Sequence, residues 1–287
     1  MCVLLPFTLF FVYTTLVVLL CKKYGVDIPE ETFSSSEFDY AVTVTPSLLL
    51  VFRLSRAAVR WWDSRTLYGA VIGLTRNLAT RVCSSVAGQV PSKDVIVFLN
   101  ALMLFACSLR SYLRKEDIKA LDVKGVADEK TIEVMNAAKH KFLFALHKMR
   151  RDLRSAVGSG TRSQDLLIES CNDLIDQVGM SAGGLERINN TPLPMVYVAH
   201  LRTFLSLYLL YLPWTLLPTL GYYAILACAI SSFVLLGVEG AASDVDSGAF
   251  KPDKPNHLDV DGLTIAIHDN VFQVMKEYVE GFEAKKK

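Results

Sequence analysis

The chain has 287 residues, of which 52% are hydrophobic, and its mean hydropathy of +0.32 is higher than soluble globular domains usually have. Its 30 lysines and arginines nearly balance 29 aspartates and glutamates, which leaves a net charge of +1. The composition therefore argues against a water-soluble protein. A net charge this close to zero also argues against a nucleic-acid-binding protein, since such proteins usually carry an excess of basic residues.

The first predicted element is a membrane helix over residues 1–21. This run has no charged residue and matches the ~20 residues that a ~30 Å hydrocarbon core requires. A cleaved signal peptide is the alternative, but the run lacks a basic start and a small-residue cleavage site before Lys22. Because the chain opens directly on apolar residues, we expect an upstream targeting region to have been trimmed from it.

The second predicted membrane helix covers residues 41–62 and follows a polar loop over residues 22–40. Basic and aromatic residues of the kind found where helices leave a bilayer end this run, namely Arg53, Arg60, Trp61 and Trp62. Since lysine and arginine mark the cytoplasmic side, we expect this end to face the cytoplasm or its equivalent in an organelle.

Two more apolar runs, residues 195–217 and 220–238, form a second predicted membrane hairpin with Gly221 in its turn. The polar regions at 63–190 and 239–287 are predicted to lie outside the bilayer. Apolar residues recur there at helical spacing, and no alternating β pattern is long enough to indicate a sheet. The six cysteines form no C-x-x-C pair, which favours buried thiols over disulfides or metal ligands.

Two stretches of sequence resemble the bestrophin family of pentameric anion channels. The first is Val51-Phe52-Arg53 followed by Arg60-Trp61-Trp62, and the second runs from Glu186 to Pro194 and contains Thr191, Pro192 and Pro194. A weaker match starts at Glu239. The resemblance covers nearly the whole chain. It implies an all-α membrane protein with four transmembrane helices per subunit and a large cytosolic or stromal helical bundle, with residues 1–287 forming one subunit of a five-membered ring.

The resemblance also implies a pore neck lined by Val44, Leu48 and Phe52. Their four-residue spacing places them along one face of the second helix. Five copies would form an apolar constriction that gates by dewetting. The structural alternative is that any membrane helix carries apolar residues at such spacing. Arg53 and Arg60 could attract anions, or could instead be interface anchors or partners of Asp63 and Glu186.

Three further groups of residues indicate a function less specifically than the neck residues do. A second constriction of the family matches a helix that contains Leu166 and Leu167. Asp253 and Asn256 could offer oxygen ligands to calcium, but they lack the spacing of a dedicated loop, so a solvated acidic turn is favoured. Pro192 and Pro194 suit the start of a helix that re-enters the bilayer, where a structural role outweighs ion contact.

By resemblance, the expected function is passive conduction of chloride or bicarbonate. The likeness to plant, algal and bacterial members favours a thylakoid or other chloroplast membrane over the plasma membrane. A non-conducting membrane scaffold and a small-anion transporter remain as alternatives. An enzyme is not expected, because the sequence has no nucleophile elbow, zinc-protease motif or phosphate loop.

Overall fold

A computed structural model describes residues 4–26, 36–86, 93–158, 160–253 and 257–285. These residues form helices and turns, with no β-strand among them, and they divide into two compact units. The helices are α1 (Leu4–Tyr24), α2 (Ser36–Ser85), α3 (Lys93–Arg114), α4 (Glu129–Ala137), α5 (Lys141–Val157), α6 (Arg162–Asn190), α7 (Met195–Leu220), α8 (Tyr223–Gly248) and α9 (Val260–Lys285), with a 3₁₀ turn at Ala120–Val123. The prediction of an all-helical chain is confirmed.

The first unit contains α1, the start of α2, α7 and α8. Its core includes Leu50 of α2, Leu205 and Leu209 of α7, and Cys228 of α8. The indole N–H of Trp214 donates to the hydroxyl of Tyr13 over 2.9 Å, and that hydroxyl donates to the Leu210 carbonyl over 3.0 Å. These bonds give two aromatic residues of an otherwise apolar core a partner for each polar atom.

The turn between α7 and α8 depends on Gly221. Its φ is +54°, a left-handed conformation that glycine adopts without steric cost. Its N–H donates to the Leu217 carbonyl over 3.0 Å and so closes α7. The turn lies where the sequence predicts it, but α8 continues ten residues beyond the predicted end at residue 238, to Gly248.

The second unit contains the rest of α2 and the helices α3 to α6 and α9. Helix α3 is its centre, because it packs against α5 and α9 and buries Phe98, Leu102, Phe105 and Leu109 completely. Burial of each such side chain contributes about 1.5–3 kcal/mol to folding. At the end of α3, Arg114 donates two hydrogen bonds to the Asp261 carboxylate, over 2.7 and 2.9 Å.

Five helices among the described residues are long and apolar enough to cross a membrane: α1, α2, α3, α7 and α8. The most apolar window of α3 is 72% buried inside the protein, whereas the windows of the other four are each 22% buried. The sequence marks four of these five runs as membrane helices and places α3 in the polar middle region.

Several predicted boundaries differ from the structure. Helix α2 begins at Ser36, inside the predicted polar loop at 22–40, and it continues unbroken past the predicted membrane segment at 41–62 to Ser85. In the serine- and glycine-rich segment at 155–163, α5 extends to Val157 and α6 begins at Arg162. A capping box between Thr161 and Gln164 fixes that start, and it shortens the connection.

Candidate functional site

Helix α2 leaves its predicted neck residues uncovered within the chain. Val44, Leu48 and Phe52 have 41%, 53% and 55% of their surface exposed. On the other side of the same helix, Leu50, Arg53 and Ala57 are 3% exposed or less. The three predicted residues therefore share one face, as their spacing requires, and that face is apolar and about half exposed among the described residues.

A cluster of ion pairs holds the opposite side of α2 to α7 and α8. Its members, here called the ion-pair cluster, are Arg53 and Arg60 of α2, Arg202 of α7, and Glu239 and Asp246 of α8.

Asp246 is shared between the two arginines of α2. One of its carboxylate oxygens lies 3.1 Å from Arg53, and the other lies 3.0 Å from Arg60. Glu239 is shared in the same way, since it accepts a hydrogen bond from Arg202 over 2.7 Å and lies 3.6 Å from Arg53. Arg53 therefore contacts both carboxylates, and its side chain is 2% exposed.

These contacts correct the partners expected for the arginines. Asp63 and Glu186 are the partners suggested by the sequence, but Glu239 and Asp246 occupy that role. Glu186 instead accepts a hydrogen bond from the hydroxyl of Tyr112, and His140 lies 3.8 Å from the same oxygen. The charge of Arg53 is matched inside the protein by two carboxylates of α8, and these contacts join α2 to α8.

The ion-pair cluster was only partly visible in the sequence. Asp246 and Arg202 were missed because each lies at the polar end of an apolar run, where a charged residue usually faces water. One signal was present: Arg53 and Arg60 are seven residues apart, and so are Glu239 and Asp246. A seven-residue spacing puts each pair on one helical face, so two such pairs can face each other.

The other family-signature residues lie on α2 and at the junction of α6 and α7. Trp62 lies within α2 and is 64% exposed. Thr191 follows the last residue of α6, and its N–H donates to the Arg187 carbonyl. Pro192 and Pro194 lie in the connection before α7, with Pro194 as the residue that immediately precedes the helix. The prolines thus stand before the first turn of α7 rather than inside it.

The two residues predicted for a second constriction lie in the first two turns of α6. Leu166 is 56% exposed and Leu167 is half-buried, while the next residue, Ile168, is buried. Leu166 is therefore the member of the pair that has apolar surface available for contact outside its own chain.

The calcium site stays a prediction. Asp253 is exposed in a turn, and Asn256 lies outside the described residues. Two acidic residues that follow have structural roles: Asp259 accepts the Gly262 N–H over 2.9 Å, and Asp261 binds Arg110 and Arg114. Across the described ranges, no group of three or more histidine, cysteine, aspartate or glutamate side chains is arranged to hold a metal ion.

The sequence and the fold are both similar to those of known proteins. The sequence model of the bacterial/fungal bestrophin family matches residues 1–273. The chain is 30% identical to the voltage-dependent anion channel-forming protein alr2987 of Nostoc sp. over 234 residues, which is 80% of this chain and 74% of that protein. A similarly named protein of Mesorhizobium japonicum is 26% identical over 93% of this chain and 83% of its own length.

A solved structure gives the same fold. A mutant of a bacterial bestrophin homolog from Klebsiella pneumoniae superimposes with a TM-score of 0.83 at 19% identity, covering 96% of this chain and all of that one. The family match over nearly the whole sequence and the relative at 30% identity carry the conclusion. The chain is a member of the bacterial/fungal bestrophin family.

Proposed function

We propose that this chain is one subunit of a homopentameric anion channel that conducts chloride or bicarbonate passively. Its membership of the family and the names of its bacterial relatives support a channel rather than an enzyme. The observation that carries the proposal is the uncovered apolar face of α2 at Val44, Leu48 and Phe52. In a ring of subunits, this face meets the axis.

Four membrane spans per subunit fit the burial of the helices. Helices α1, α2, α7 and α8 leave most of their apolar windows unburied within the chain, so that lipid can contact them. Helix α3 has the opposite property, because its apolar window is mostly covered by its own chain. We therefore assign α3 to the core of the extramembrane part.

The proposed neck works by excluding water. Rings of valine, leucine and phenylalanine offer no hydrogen bonds to an ion's hydration shell, so a narrow apolar constriction empties of water and closes. The preference for anions then comes from helix N-termini and backbone edges. Arg53 is a poor source of that preference because its charge is already paired.

Flux through liposomes tests the neck. Purified protein is reconstituted, and chloride efflux is compared between the wild type and a variant with Val44, Leu48 and Phe52 all changed to alanine. The control changes Leu9, Leu16 and Leu19 of α1 to alanine, since these are 63%, 52% and 52% exposed and lie on another helix. We expect chloride-selective flux that rises in the neck variant and is unchanged in the control.

The alternatives predict different results. A folded pentamer with no flux in any variant points to a membrane scaffold. Flux that saturates at low chloride concentration and depends on exchange with internal anions points to a transporter. Mass measurement of the purified complex checks the five-fold stoichiometry, and Leu166→Ala tests whether a second constriction limits conductance.

The expected chloroplast membrane has one line of support. The chain is 26% identical to voltage-dependent chloride channel 2, chloroplastic, of Arabidopsis thaliana, over 71% of this chain and 49% of that protein. Imaging of the fluorescently tagged full-length protein in its native cells tests this compartment, and signal at the plasma membrane would exclude it.

A further inference from the structure

The first unit contains a cavity of about 450 Å³ beside the ion-pair cluster. Three of its helices line it: α1 near its start, α7 in its first turns, and α8 near its end. A volume of this size lies within the range of pockets that hold small ligands, about 300–1,000 Å³. All the residues that line it belong to one unit.

Part of the cavity lining is polar and carries both signs of charge. Arg202, Ser206, Glu239, Ser243 and Asp244 belong to this part. Arg202 is oriented by two contacts, a 2.7 Å hydrogen bond to Glu239 and a 3.1 Å hydrogen bond to the hydroxyl of Ser243. A guanidinium has five N–H donors, and these two bonds use only two of them. Arg202 remains half exposed, with donors available for an anionic group.

The lining also has apolar side chains, which belong to Pro6, Phe10, Leu205 and Leu236. Helix α1 continues this apolar character on its outer surface, where Leu5 and Leu9 are 69% and 63% exposed. The cavity thus joins charged side chains to surfaces suited to hydrocarbon. A ligand that complements both kinds of side chain has a charged head and an apolar tail.

We propose that this cavity binds a membrane phospholipid whose head group carries hydrogen-bond donors next to its phosphate. The phosphate accepts hydrogen bonds from Arg202 and Ser206. The ammonium of an ethanolamine head group, or the hydroxyls of a glycerol head group, donate to Asp244. The acyl chains lie against Phe10 and Leu236. A choline head group should bind more weakly, because its quaternary ammonium has no N–H to donate to Asp244.

Native mass spectrometry tests the site with defined lipids. The full-length complex in detergent is incubated with phosphatidylethanolamine, phosphatidylglycerol or phosphatidylcholine, and the bound lipid is counted per subunit. We expect about one retained lipid per subunit for phosphatidylethanolamine or phosphatidylglycerol, and at least ten-fold less retention of phosphatidylcholine. Comparison of the first two lipids identifies whether the donor is an ammonium or a hydroxyl.

Two pairs of variants separate this site from general lipid adhesion. Ser206→Phe places a large side chain in the cavity lining and should abolish retention, whereas Leu207→Phe, at an exposed neighbour on the same helix, should leave it intact. Arg202→Gln should reduce retention at least ten-fold, and Arg56→Gln, at an exposed arginine of α2, should not. Because Arg202 also binds Glu239, the Ser206 pair keeps the test valid if Arg202→Gln fails to fold.

Other results would overturn the proposal. Equal retention of phosphatidylcholine would show that Asp244 does not select the head group. Full retention by Ser206→Phe would show that the lipid does not bind in this cavity. Absence of bound lipid in the wild type would show that the cavity is not a lipid site. These readouts do not depend on ion flux, so they remain informative even if the protein conducts no anions.

Discussion

The guanidinium of Arg53 lies 3.1 Å from the carboxylate of Asp246, and the two side chains are 2% and 9% exposed. Arg60 contacts the same carboxylate over 3.0 Å. A buried ion pair adds little net stability, because removing both charges from water costs about as much as their attraction gains. Loss of one partner is nevertheless costly, because it leaves the other charge without that counter-charge and away from water. The pair therefore makes the junction of α2 and α8 sensitive to single substitutions.

Asp246→Ala should lower the free energy of unfolding by about 3–5 kcal/mol, because it leaves Arg53 without its nearest counter-charge. Thermal unfolding of the purified protein in detergent measures the effect. Asp173→Ala, at an exposed carboxylate on α6, is the matched control and should change stability little. If the Asp246→Ala protein is as stable as the control, the ion pair does not stabilise the fold.

The burial of α3 leads to a prediction about its contact with water. Val97 of α3 is 42% exposed, and Leu16 of α1 is 52% exposed. If α3 lies outside the bilayer, Val97→Cys in lipid nanodiscs should react with a charged maleimide faster than Leu16→Cys by at least ten-fold. Labelling is counted above the background of the parent protein. Equal protection of both positions would support a fifth membrane span.

His268 of α9 is held inside the second unit. Its Nε2 lies 3.1 Å from the Met103 carbonyl oxygen and 3.2 Å from the Sγ of Cys107. Burial lowers the pKa of His268 from its ordinary value, and the hydrogen bond to the Met103 carbonyl partly opposes this. The charged residues that also act on it are Asp269, Arg110 and Asp122.

The lowered pKa predicts loss of stability in acid. The unfolded chain takes up the histidine proton near the ordinary pKa of about 6.5, before the folded chain does. The contribution of neutral His268 to stability is therefore complete above about pH 6.5, and it is lost as the pH drops through the lower folded-state pKa. His268→Gln should flatten this part of the stability curve, while His200→Gln, at an exposed histidine of α7, should retain it.

The capping box at the start of α6 allows a matched test of helix capping. The N–H of Gln164 donates to the Thr161 hydroxyl, and the N–H of Thr161 donates to the Gln164 side chain over 3.1 Å. Thr161→Ala should destabilise the protein by about 1 kcal/mol, whereas Thr161→Ser retains the hydroxyl and should be nearly neutral. Denaturant unfolding distinguishes the two, and equal stability of both variants would show that the cap is not needed.

The sequence predicted the helical class, and it predicted that Val44, Leu48 and Phe52 share one face of α2, because both depend on local pattern. Residues at four-residue spacing need only a helix to share a face. The predicted membrane segment at 41–62 covers only part of α2, because Arg60 and Trp62 indicate an exit from a membrane, and such an exit does not end a helix. The pairing of Asp246 was missed because partners on distant helices leave no local signal. Its neighbours in the sequence, Ser243 and Asp244, instead suggest a solvated end.

The seven-residue spacings in the ion-pair cluster restrict how α2 can move against α8. Seven residues span about 10.5 Å of helix, and Arg53 contacts both carboxylates of α8 at once. A shift of α2 along α8 by one turn, about 5.4 Å, would separate these charges in a buried setting. Because Arg202 of α7 also binds Glu239, a movement that carries α2, α7 and α8 together is needed to keep every pair intact. If Phe52 lies in the proposed neck, we expect the neck to widen by rocking of these three helices as a single body.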